Sequence, residues 1–116
     1  MRRHTALVDR PIEKGGADEG PMGGDYFLTA VGGCFMSTLL AAIRAREAAV
    51  SNVRTKVTGT LAQGPTRFTA IELEVSADHS DDELFAHLVD IAQEGCIMVQ
   101  TLKRGVDLGV RVGATA

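Results

Sequence analysis

The sequence has no Trp and one Tyr, and aromatic residues make up only 4% of its 116 positions. Stacking platforms for single-stranded nucleic acid are therefore not expected. Positive charge is short as well: 12 Lys and Arg face 15 Asp and Glu, a formal net charge of −3, so the electropositive footprint needed to grip phosphates is missing. Nucleic acid is accordingly not expected as a partner. Cysteine is scarce, with only Cys34 and Cys96, 62 positions apart. That spacing is unlike the dense frameworks of small secreted scaffolds and points to a reducing, cytoplasmic setting. The three histidines, His4, His79 and His87, stand alone without CxxC, HxxxH or HExxH spacing, so no metal site is expected. No GxSxG elbow is present, and the glycine run from Gly15 to Gly24 has neither GxGxxG spacing nor a Lys-Ser/Thr ending. No basic region leading into an apolar stretch opens the chain, so a signal peptide is not expected.

What is there describes one globular domain over residues 1–116. With 45% apolar and 23% charged residues, the composition is that of a soluble domain. A chain this short buries one modest core, and oligomerisation is a natural way to bury more.

Residues 3–9 read as a short strand, followed by a loop from Glu13 to Asp25 that holds five glycines. Asp25 is expected to cap the helix that follows. From Tyr26 to Ile43 no charged residue occurs in 18 positions, and helical character continues through Ala49. The length sits at the lower limit for a bilayer span, and Thr29, Gly32, Gly33, Ser37 and Thr38 argue against one. A helix apolar on nearly every side is then one buried all round, in a domain centre or a subunit interface.

Val53–Leu61 and Phe68–Ser76 alternate with period two around the turn Gln63-Gly64-Pro65-Thr66, predicting an antiparallel hairpin. In the first strand Val53, Thr55, Val57, Gly59 and Leu61 share a face; in the second, Thr69, Ile71, Leu73 and Val75 do. Ser80-Asp81-Asp82-Glu83 matches a capping box and predicts a helix with Leu84, Leu88 and Ile91 in its apolar stripe, stopping at Gly95. A short helix over Cys96–Leu102 and a last strand over Val106–Val112 complete the order. Hairpin-like connections between helices make the fold α+β, with a mostly antiparallel sheet packed on a long central helix.

The two thiols are the residues most able to carry chemistry. Cys34 follows Gly32-Gly33 inside the uncharged helix, where missing side chains allow close approach of another group. Cys96 follows Gly95 at a predicted helix N-terminus, where free amides lower a thiol pKa. The pair reads as a redox couple, or as two small hydrophobes packed in a core.

The stretch from Gly20 to Cys34, GPMGGDYFLTAVGGC, resembles the GPxPxELLLAALGGC opening of the central helix in the OsmC/Ohr family, the osmotically inducible protein C and organic hydroperoxide resistance group. The strand Val53–Gly59, the strand at Ile71-Glu72-Leu73, and AQEGC (Ala92–Cys96) ahead of Thr101-Leu102 are similar to family segments in the same order. The resemblance runs over roughly residues 5–112.

The resemblance implies an intertwined homodimer with its sites at the subunit interface. It also implies a thiol peroxidase in oxidative stress defence, acting on organic or other hydroperoxides without cofactor or metal. In that reading Cys34 attacks the peroxide, Cys96 resolves the sulfenic acid as a disulfide, and a dithiol reductant closes the cycle. Where the family has a Glu ten positions before the first cysteine this chain has Gly24, with Asp25 next to it as the candidate orienting carboxylate. The family's hairpin arginine has no counterpart in register; Arg2, Arg3 and Arg10 are the available stand-ins, and set against the family pattern a shortened N-terminal hairpin is expected. Ile97 replaces the proline that usually follows the second cysteine. The competing expectation is an OsmC-like dimer that binds a small apolar ligand at the interface, its cysteines merely buried.

Overall fold

A computed structural model describes residues 1–114 of the chain. The elements are helix α1 (Gly23–Ala45), strands β1 (Ser51–Ala62) and β2 (Arg67–Asp78), and helices α2 (Asp82–Gly95) and α3 (Ile97–Arg104), with a 3-10 turn at Ile12–Lys14. β1 and β2 form a two-stranded antiparallel sheet. The architecture is α+β, as the alternating hairpin between helical segments predicts.

Val57 lies opposite Leu73 and Thr55 opposite Val75 on the half-buried face, while Lys56 lies opposite Glu74 on the solvated one. The period-two pattern thus places one face inward and pairs opposite charges outside. Beyond Thr60 the register slips: Thr60 pairs with Ala70 but Leu61 with Phe68. The slip leaves Thr69 as the extra residue of a bulge. It turns Leu61 out, 55% exposed, and turns Phe68 in, correcting the predicted facing of Leu61 and Thr69.

The core joins Phe35, Leu39, Ala42 and Ile43 of α1 to Leu88 and Ala92 of α2 and to Cys96. Their spacing on α1, at three, four and seven residues, keeps one helix face on α2. By length and composition α1 could cross a bilayer, yet this stripe is covered by the chain's own α2. The other face, through Ala30, Gly33, Ser37, Leu40 and Ala41, is exposed in the single chain, so of the two expected settings the helix does not have the first, burial all round within one domain. Gly32 explains how closely β1 approaches α1, because a Cβ there would meet Val57 Cγ2 at 2.6 Å. Gly33, by contrast, faces open space.

Helix ends depart from the predictions in detail. α1 starts at Gly23, and Asp25 is its third residue; the Asp25 carboxylate reaches back to accept from the Met22 amide at 3.0 Å. The N-cap of α2 is Asp81, which accepts from the Leu84 amide at 3.0 Å, and no Ser80–Glu83 capping box forms. Asp81 wins because its carboxylate, one residue nearer, carries the charge that the positive helix end favours. Cys96 is the N-cap of α3 rather than its first residue.

The predicted strands at 3–9 and 106–112 are absent; both segments are irregular. Val106, Leu108, Val110 and Val112 are 76 to 97% exposed. Among the described residues their alternation has no hydrogen-bonding neighbour in the same chain, and a strand without a partner does not form. The loop after residue 9 is instead organised by Asp9. Its carboxylate accepts from the amides of Arg10 at 2.7 Å and of Ala17 and Glu19 at 3.1 Å. Tyr26 Oη donates to the Leu7 carbonyl at 2.8 Å, tying this segment to α1.

Candidate two-thiol site

α1 carries Cys34 on its seam with α3, and the α2–α3 junction carries Cys96. The two sulfurs lie 3.4 Å apart, with the Cys96 thiol donating to Cys34 Sγ. Neither is in a disulfide; Cys96 is fully buried and Cys34 half-buried. The junction is sharp because α2 ends at Gly95 and α3 begins at Ile97, leaving Cys96 alone in extended backbone between two helices. Thr38 Oγ1 donates to the Cys34 carbonyl at 3.0 Å, and its methyl packs near Gly95, so the helix turn after Cys34 backs the junction.

The free amides of α3 are aimed at the sulfurs. Hydrogen bonding from the Met98 amide, helped by the Cys96 thiol and the Ile97 amide, holds the Cys34 thiol below its ordinary pKa despite partial burial. Amides at a helix N-terminus stabilise an anion through their unsatisfied N–H groups and the aligned dipole. Cys96 goes the other way: burial pushes its thiol up, and the neighbouring Cys34 sulfur adds to the rise. The expectation that the helix start would acidify Cys96 is therefore corrected. The helix is where it was predicted and its first amides act on both sulfurs: those of Met98 and Ile97 lower Cys34, while those of Val99 and Met98 also favour the Cys96 thiolate but are outweighed by its burial. One thiol is thus prepared to ionise and the other to remain a proton donor beside it.

Asp25 sits nine residues up α1 from Cys34, an axial distance of about 13 Å at 1.5 Å per residue. It is exposed, and its carboxylate is engaged with the Met22 amide. The fold does not bring it to the cysteines within one chain. Arg2, Arg3 and Arg10 are exposed, and among the described residues none makes a hydrogen bond or ion pair with either thiol. Among the described residues no cluster of three or more His, Cys, Asp or Glu side chains could hold a metal ion.

An apolar groove of about 330 Å³ runs between β2 and the helices, walled by Val31 and Phe35 of α1, Leu73 of β2, and Val99 and Leu102 of α3. Phe35 and Val99 place it beside the elements that hold the thiols. Lys103, whose Nζ donates to Gln93 Oε1 at 3.2 Å, sits at its polar rim. Neither the groove nor the Asp9 hub was read from the sequence. Asp9 carried a signal, an Asp opening a loop rich in glycine.

An α+β scaffold with a helix-borne thiol facing a second, buried thiol defines a two-cysteine protein. The OsmC-like protein family profile matches residues 15–111, and the chain belongs to that family. No curated protein matches the sequence. Solved structures share the fold. A protein from Psychrobacter arcticus 273-4, named for osmotic stress induction and detoxification response, superposes with a TM-score of 0.73 at 18% identity, over 87% of this chain and 74% of that one. An OsmC-like protein from Mycoplasma pneumoniae gives 0.70 at 19% identity over 87% and 74%. One from Legionella pneumophila, named an organic hydroperoxide resistance protein OsmC, gives 0.63 at 17% identity over 87% and 75%.

Proposed function

We propose that the protein is a homodimeric, cytoplasmic hydroperoxide reductase that works through Cys34 and Cys96 without metal or organic cofactor. The observation that carries the reading is the pairing of an acidified, half-exposed sulfur with a buried protonated one at 3.4 Å. In the first step the Cys34 thiolate attacks the peroxide O–O bond, becoming a sulfenic acid as the alkoxide leaves and takes a proton. Cys96 then displaces water from the sulfenic sulfur, forming a disulfide and blocking further oxidation. A dithiol reductant returns both sulfurs to thiols. The apolar groove supports organic substrates, and it equally supports the second reading, a dimer that holds a small apolar ligand. The exposed, uncharged face of α1 and the unpartnered segment 106–112 support a dimer, since each offers apolar surface that one chain leaves open.

A thiol count before and after one equivalent of cumene hydroperoxide tests the reading. Loss of both thiols per chain with an intramolecular disulfide is expected; unchanged thiols would remove the enzyme and leave the ligand-binding dimer.

A further inference from the structure

The spacing of the two sulfurs has a second chemical meaning, independent of peroxide. At a sulfur bond length of about 2.3 Å, a tetrahedral ion such as zinc holds two thiolates about 3.8 Å apart, and a linear two-coordinate centre holds them about 4.6 Å apart. A pyramidal centre with bond angles slightly above a right angle spans about 3.4 Å with bonds of that length, and 3.4 Å is the separation between Cys34 Sγ and Cys96 Sγ. Among the described residues no third His, Cys, Asp or Glu joins the pair, so a four-coordinate ion would find half its ligands missing. A three-coordinate centre that brings one substituent of its own needs only these two sulfurs.

We propose that the reduced pair is a chelating site for trivalent organoarsenicals, R–As(OH)2. The step is condensation without redox change. The half-exposed Cys34 displaces one hydroxyl and the buried Cys96 the other, two As–O bonds give way to two As–S bonds, and two waters leave with the thiol protons. The substituent R stays on arsenic and leaves by the open side of Cys34. This inference uses the thiol proximity on which the peroxidase reading also rests, but it needs neither the acidified sulfur nor a bound peroxide.

The test is titration of the reduced, full-length wild-type protein with phenylarsine oxide. One arsenical per chain is expected, with both thiols lost and the mass rising by the dihydroxide less two waters. The adduct should survive excess glutathione and be released by dithiothreitol, because two tethered ligands hold a centre roughly a hundredfold or more longer than one. Cys34→Ser and Cys96→Ser should each lose their adduct to glutathione. Native geometry predicts that the adduct raises the melting temperature; a fall would mean that the chain must open to bind, and would overturn the proposal. So would release of the wild-type adduct by glutathione at the rate of the single-cysteine variants. Peroxide consumption is measured separately on untreated protein. A stable adduct without turnover sinks the peroxidase and keeps the chelate, whereas turnover with a labile adduct does the reverse.

Discussion

The backbone amide of Met98, in the first turn of α3, points at the sulfur of Cys34 on α1. Two elements that are distant in sequence therefore build one anion site, in which the Cys34 thiol is lowered while burial outweighs the α3 amides that also reach Cys96.

Thiol reactivity should divide accordingly. Cys34 has a lowered pKa, so its thiolate forms below the ordinary thiol value of about 8.5. Cys96 is raised and ionises above it. Iodoacetamide pulses across pH 6 to 9, mapped by mass spectrometry, should label Cys34 first and at the lower pH. Equal profiles would remove the α3 amides from the account. The stability signs are opposite. The lowered Cys34 contributes stability at high pH that fades as pH falls through its folded pKa. The raised Cys96 contributes at low pH and loses that contribution as pH rises through its own.

Cys34→Ser should abolish hydroperoxide turnover, because a hydroxyl is not ionised under these conditions. Cys96→Ser should consume one equivalent and stop at the sulfenic acid, detected by a dimedone adduct on Cys34. Wild-type turnover by both variants would show that neither thiol has its assigned role.

Gly32→Ala should destabilise. The new methyl meets Val57 Cγ2 at 2.6 Å, and overpacking of this kind costs about 1–3 kcal/mol against about 1 kcal/mol returned by helix propensity. In a Val57→Ala background the same change should become stabilising. Urea unfolding of the four proteins measures the coupling, and additive effects would mean that the two positions do not touch.

Asp9→Asn should loosen the amino-terminal loop. Amides from Glu19 and Arg10 foremost, then Ala17, hold the Asp9 carboxyl below the usual range. Its contribution is therefore complete above the ordinary carboxylate pKa and is lost as pH falls through the depressed folded value. Hydrogen exchange at Ala17 and Glu19 should quicken in the variant and, for the wild type, in acid. Unchanged protection would assign those amides other acceptors.

Ser37→Glu places a charge at the centre of the open face of α1. It should weaken the proposed dimer at least tenfold, about 1.4 kcal/mol, as read by sedimentation. A variant that dimerises like the wild type moves the interface elsewhere on the chain.

The hairpin was legible because alternation of Val57 and Leu73 with Lys56 and Glu74 is a local signal that needs only the paired strand to be realised. The bulge at Thr69 was not, since nothing local distinguishes Phe68 from Leu61 as the side chain to bury. Residues 3–9 and 106–112 carry strand-like patterns but, among the described residues, no strand to pair with. Residues 3–9 are tied to the chain ahead of and within α1 by the Asp9 amide on the Pro21 carbonyl and by Tyr26 Oη on the Leu7 carbonyl, contacts that make no ladder. The cysteine pair was readable as a pair through the family resemblance. Which sulfur the α3 amides succeed in lowering depends on how α1 crosses that helix and on how deeply each thiol is buried, packing relationships that no spacing along the chain encodes.

The tail from Val106 to Val112 remains bare in an isolated chain. Such a ribbon, with backbone amides unpaired to any strand and greasy side chains on display, is a nucleus for clumping. Solubility on dilution or after trimming should therefore track assembly: whatever covers this ribbon acts as the molecule's own chaperone, and a preparation caught before it is covered would precipitate first.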